Sequence, residues 1–211
     1  AYTITTSTLA ITNIHNPASP ALVGSLTVGN GNQDIAILGD YAYITSHDIA
    51  PTAAINVVDI SDPSAPVLAN SVTEVYSPIS IEIHGRYAYV TDNSGGGLAV
   101  FDLGHATGPR LMGRASIGST NDVAVMGKYA YVTQATGQRL NVLDISDPAN
   151  IPTINYISYA DAFEPNAIVA QGGYLYVSDA ASASVQTLSA TTTPHVISTK
   201  SVGGIPALPD G

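Results

Sequence analysis

What this chain can fold into is limited most by a short stretch that keeps returning. Tyr129-Ala130-Tyr131-Val132-Thr133 recurs as Tyr41-Ala42-Tyr43-Ile44-Thr45, as Tyr87-Ala88-Tyr89-Val90-Thr91 and as Tyr174-Leu175-Tyr176-Val177-Ser178. A shortened copy, Ala1-Tyr2-Thr3-Ile4-Thr5, opens the chain. The first tyrosines of the full copies stand at 41, 87, 129 and 174, so the period lies in the forties. Self-similarity at that period marks stacked units sharing one core, most often the four-stranded blades of a propeller.

The third copy shows one unit in full. Asn121–Met126 is a β-branched run, Gly127-Lys128 a tight turn and Tyr129–Thr133 a second strand. A loop over 134–138 leads into Leu140–Ile145, the turn Ser146-Asp147-Pro148 and a fourth strand over 153–159. Asp bonds the backbone ahead of it and Pro presets φ, which suits such a turn. Period-2 runs of Val, Ile, Tyr and Thr between Gly, Pro and Asp are strand signals, and no stretch has a helical period.

The expected fold is therefore all-β: a five-bladed β-propeller of four-stranded antiparallel blades, one domain over 1–211. The blades are read as 33–75, 79–117, 121–159, 166–202, and 205–211 joined to 1–28. The run Ala207-Leu208-Pro209-Asp210-Gly211 leads into Ala1-Tyr2-Thr3 much as Leu38-Gly39-Asp40 leads into Tyr41-Ala42-Tyr43. The last strand is thus expected to pair with the first and close the ring, hiding sheet edges.

The units read Tyr-Ala-Tyr-Val, then a Gly-containing loop, then Leu-x-Val-x-Asp-Ile-Ser-Asp-Pro, then Pro-x-Leu-x-Gly-Ser. This pattern resembles the LVIVD repeat of bacterial and archaeal surface and secreted proteins. The resemblance covers nearly the whole chain and is strongest at 41–71 and 129–148. It implies a propeller and an extracytoplasmic setting, and it carries no catalytic residues.

Composition narrows the partners. Sixteen acidic against 6 basic residues give a net charge of −10, which repels nucleic acid and anionic membranes. No apolar run approaches the roughly 18 residues of a membrane span. With no cysteine, disulfides and thiolate metal sites are excluded. The first residue, Ala1, and a surface rich in small polar residues suggest a processed, extracellular chain.

Most of the 12 tyrosines occupy the repeated positions, where packing between blades is the favoured reading and carbohydrate stacking the alternative. The recurring Asp59, Asp62, Asp144 and Asp147 read as turn caps. Asp92-Asn93-Ser94-Gly95-Gly96-Gly97 is a poor match to a calcium loop, lacking the spaced acids and closing Glu.

Two candidate sites remain. Tyr76, Tyr156, Tyr159 and Phe163 fall outside the repeat positions, beside Glu74, Asp161 and Glu164, and could bind a glycan or a partner protein. Asp34, Glu82 and Asp122 lie on first strands near the expected channel. There they could hold a cation or act as a glycosidase acid and base, solvated channel acids being the plainer reading. No nucleophile elbow and no phosphate-binding loop is present. The functional expectation is accordingly a non-enzymatic extracellular or cell-surface protein, adhesive or self-assembling into filaments. Its partner would be another copy or another surface protein, with no cofactor. A glycan-binding or glycan-active propeller and a calcium-dependent binding module are the alternatives.

Overall fold

Alternation of large apolar and small residues gives strands, and the glycine and Asp-Pro turns fold them into meanders. The computed structural model describes residues 1–47, 53–159 and 163–201. Blade 1 contains β1 (Tyr2–Ile4), β2 (Thr8–Asn13) and β3 (Ala21–Thr27). Blade 2 contains β4 (Asn32–Leu38), β5 (Tyr41–Ser46), β6 (Ala54–Asp59) and β7 (Val67–Val72). Blade 3 contains β8 (Pro78–His84), β9 (Tyr87–Asp92), β10 (Gly97–Asp102) and β11 (Arg110–Ala115). Blade 4 contains β12 (Val123–Met126), β13 (Tyr129–Gln134), β14 (Arg139–Asp144) and β15 (Thr153–Ser158). Blade 5 contains β16 (Pro165–Gln171), β17 (Tyr174–Asp179), β18 (Ser184–Ser189) and β19 (Val196–Ser201). Each blade is a separate antiparallel sheet with its strands in chain order.

The repeated residues divide between the two faces of each blade. Tyr43 packs with Ala88, Val90 and Phe101 of the next blade, and Tyr131 with Leu175, Val177 and Leu188 of blade 5. One face therefore supplies tyrosine, and the facing one supplies the small and branched residues that receive it. Burying a ring of this size contributes about 2–3 kcal/mol. The phenol ends reach backbone on the blade beyond: Tyr43 donates to the Ala106 carbonyl and Tyr131 to that of Thr191.

Repetition of Thr45, Thr91 and Thr133 also has a physical cause. Thr45 Oγ1 accepts from the Asp34 N–H of its own blade at 3.0 Å and donates to the Ile79 carbonyl of the next at 2.9 Å. Thr91 and Thr133 repeat this stitch to Asn121 and Asn166. Gly24 and Gly113 mark close approaches between blades. A Cβ added there would lie 2.3 Å from the Pro63 carbonyl oxygen and 2.6 Å from that of Pro148. The Asp turns cap as expected: Asp59, Asp62 and Asp144 accept the backbone N–H two residues on, and the side chains of Ser61, Ser64 and Ser146, followed by those N–H groups, lower their carboxyls.

Ring closure is a separate matter. The strand expected over 205–208 lies outside the described residues, and blade 1 is described with three strands rather than four. The last tyrosine face also differs from the others. Tyr174 and Tyr176 are 45% and 39% exposed, whereas Tyr43 and Tyr131 are fully buried.

Candidate active site at the channel mouth

The first strands of blades 2, 3 and 5 each carry a register irregularity at their opening, between Asn32/Asp34, Pro78/Ile81 and Pro165/Ile168. A bulge turns side chains off the regular alternation. Here it lies where Asp34, Ser80 and Ala167 stand in equivalent places, with Asp122 the matching residue of blade 4. Gln33, Ile79, Asn121 and Asn166 precede them, and these residues line a cavity of about 300 Å³.

Two of the three predicted channel acids meet there, joined by a residue the sequence did not flag. Ser80 Oγ lies 2.9 Å from Asp34 Oδ2 and 2.7 Å from Asp122 Oδ1. A hydroxyl has one proton to give. The chain of three closes when Asp122 carries a proton and donates it to Ser80, which donates to Asp34. Burial, reinforced by the nearby Asp34 carboxylate, pushes the Asp122 carboxyl up, against its hydrogen bonds to Ile168, Ser80 and Val123.

The carboxylates also hold blades together. Asp34 Oδ2 accepts the Ile81 N–H of the next blade at 2.9 Å, and Asp122 Oδ2 that of Ile168 at 2.8 Å. Glu82 does not line the mouth. It lies two residues deeper in β8, opposite Tyr89, and accepts the Val125 N–H of blade 4 at 3.0 Å. Burial there pushes its carboxyl up to about 7, with the Val125 bond opposing and Asp122 assisting.

The aromatic group separates. Tyr76 is 71% exposed beneath the Arg114 guanidinium, whose Nη2 donates to the Glu74 carbonyl. Tyr156 is 51% exposed, with Arg139 4.8 Å from its ring centre. Tyr159 and Phe163 instead pair at 4.6 Å between blades 4 and 5. The Glu164 backbone N–H donates to Asp179, and Asp161 lies outside the described residues. The loop over 92–97, already a poor match to a calcium loop in sequence, is occupied by its own bonds. Asp92 is buried and accepts Ser94 N–H and Oγ–H and the Tyr76 N–H. Among the described residues no three His, Asp or Glu side chains converge as metal ligands. None of the described residues forms a helix long and apolar enough to cross a membrane.

Comparison with known proteins agrees with this architecture. A family model described as the LVIVD repeat matches residues 3–28, 31–74, 79–116 and 117–155, in blades 1 to 4. No curated protein matches by sequence. Among solved structures, a Lactobacillus plantarum protein superposes with a TM-score of 0.81 at 15% identity, covering 94% of this chain and 64% of its own. A candidate 6-phosphogluconolactonase from Bacteroides uniformis gives 0.78 at 16% identity, covering 90% and 63%. The periplasmic gluconolactonase of Pseudomonas aeruginosa gives 0.74 at 13% identity, covering 97% and 67%. The chain thus spans less than two thirds of the length of the first two.

These neighbours overturn the expectation of a non-enzymatic adhesive or filament-forming protein. That expectation rested on the lack of a linear catalytic motif. Propellers named as lactonases share this fold, and in a propeller polar groups assemble across blades rather than along one stretch.

Proposed function

The chain belongs to the LVIVD-repeat family, and on that footing we propose that its channel mouth binds a small polyhydroxylated lactone and hydrolyses it, outside the cytoplasm. One observation carries the reading: Ser80 bridges two carboxylates beneath a rim of the amides Gln33, Asn121 and Asn166. Amides both donate and accept, which suits sugar hydroxyls. Neighbours named as gluconolactonases supply the substrate class, and the periplasmic one supports the compartment.

The chemistry follows from the proton arrangement. Asp34 takes a proton from a water molecule as its oxygen attacks the lactone carbonyl carbon. Asn166, whose Oδ1 accepts from the Asn121 amide at 3.3 Å, donates from Nδ2 to the oxyanion that forms. The ring C–O bond then breaks, and the departing oxygen takes the proton that Asp122 supplies through Ser80. The hydroxy acid so formed is an anion in an acidic mouth, which favours its release.

A pH-stat assay with glucono-δ-lactone tests this. Asp34→Asn and Asn166→Leu are each expected to lower kcat/KM by about 100-fold, the low end of the usual scale for a lost base and a lost oxyanion donor. Ring opening at the uncatalysed rate, or unchanged rates in both variants, rules the hydrolase out. Saturable binding of the lactone without turnover would leave the glycan-binding alternative standing.

A further inference from the structure

A second cavity, of about 420 Å³, opens between blades 4 and 5, away from the channel mouth. Its apolar wall is Ile157, Val196 and the tilted pair of Tyr159 and Phe163. Its polar side is Gln186, Asp179 and the hydroxyl residues Ser158, Ser182, Ser184 and Thr199. The carboxylate is already committed: Asp179 accepts the Glu164 N–H at 2.8 Å, the Ala181 N–H at 3.0 Å and the Ser182 hydroxyl.

Two groups bordering this cavity are different. The Tyr159 hydroxyl and Gln186 Oε1 are both buried and have no hydrogen-bond partner among the described residues. A buried polar atom without a partner costs stability, and native proteins keep few of them. Burial alone pushes the Tyr159 hydroxyl up, so it remains a neutral donor. Corresponding positions in other blades are resolved differently. Asn56, the counterpart of Gln186, bonds Ser46 and Ser71, and Ile117 stands where Tyr159 does. Asn32 Nδ2 in blade 2 and Arg114 Nη1 in blade 3 are also unpartnered among the described residues, but only here do two such atoms belong to residues lining one cavity.

We propose that the cleft between blades 4 and 5 is a binding site for a neutral hydroxylated ring of monosaccharide size. The ring stacks on the Tyr159–Phe163 wall. One of its hydroxyls donates to Gln186 Oε1, and one of its oxygens accepts from the Tyr159 hydroxyl. The volume lies in the ordinary range of small-molecule pockets. The negative charge of Asp179, in a chain of net charge −10, disfavours an anion.

Saturation-transfer NMR on the whole chain, with a panel of methyl hexopyranosides, tests the site. At least one glycoside should give saturable transfer. Tyr159→Phe and Gln186→Leu should each weaken it about 5–10-fold, the value of one hydrogen bond. Asp34→Asn, at the channel mouth, should not alter it, which separates this site from the proposed lactone site. Both cleft substitutions remove an unpartnered buried atom, so the variants should melt no lower than the parent; should one fail to fold, the other carries the test. No saturable transfer up to about 20 mM, equal affinity in both variants, or a glycoside soak showing only water between Tyr159 and Gln186 overturns the proposal.

Discussion

The seam between blades 4 and 5 is held differently at its two ends. On the channel side Asp122 reaches across to the Ile168 N–H, and its remaining oxygen serves Ser80 and Val123. On the outer side two polar atoms stay unpartnered beside an aromatic pair. One end uses its polar groups to join blades, and the other leaves them unpartnered. The lesson is that burial of a polar group says little until its partners are counted.

The largest expected effect lies in the apolar middle of this seam. Tyr131→Ala should cost about 3–5 kcal/mol in urea unfolding, while Tyr176→Ala, one blade on, should cost about 1 kcal/mol because its ring is partly exposed. Equal costs would mean that Tyr176 is covered in solution, as a closed ring requires. Asp122→Ala comes next, at about 2–4 kcal/mol, because it strands the Ile168 and Val123 N–H groups. A loss under about 0.5 kcal/mol would show that the clasp does not hold the seam.

A pH effect follows from Glu82 in the seam between blades 3 and 4. Its folded carboxyl, at about 7, lies above the ordinary 4.5, so the fold favours the protonated form. That contribution is full below pH 4.5 and is lost as pH rises through 7. Because the group is partly exposed, solvent screening reduces the loss to about 1 kcal/mol. Glu82→Gln keeps an acceptor for Val125 and should remove this share of the decline, gaining over the parent at pH 8. Parallel stability curves for the two proteins across this range would refute the assignment. The smallest effect has the opposite sign from most substitutions: Tyr159→Phe should raise stability by about 0.5–1 kcal/mol in a thermal melt, and a clear loss would mean that the hydroxyl has a partner.

How much could be read beforehand depended on whether a residue recurs. Tyr43, Tyr89 and Tyr131 return in every copy, and their packing role was legible from that alone. Asp34 and Asp122 were legible for the same reason, as equivalent positions on first strands. Ser80 was hidden because it interrupts the acidic pattern, yet it holds the two carboxylates together. Aligning the strands by register rather than by residue type would have found it. Glu82 looked like a third member and instead turned into a seam, since a shift of two residues along β8 carries it deeper. In sequence the aromatic residues form one group. Tyr76 lies beside Arg114 and Tyr156 beside Arg139, while Tyr159 and Phe163 meet at the other end of a seam.

The blade is local in origin, because alternation, glycine turns and Asp-Pro caps act within a few residues and need no distant partner. The sequence alone also sets which face of each blade carries the rings, since a period of two leaves no other choice. Which polar groups became clasps and which stayed unpartnered was settled between blades. Those outcomes depend on distances between strands more than forty residues apart. Such distances are set by bulges and by the angle between neighbouring sheets, and neither is written in any single repeat.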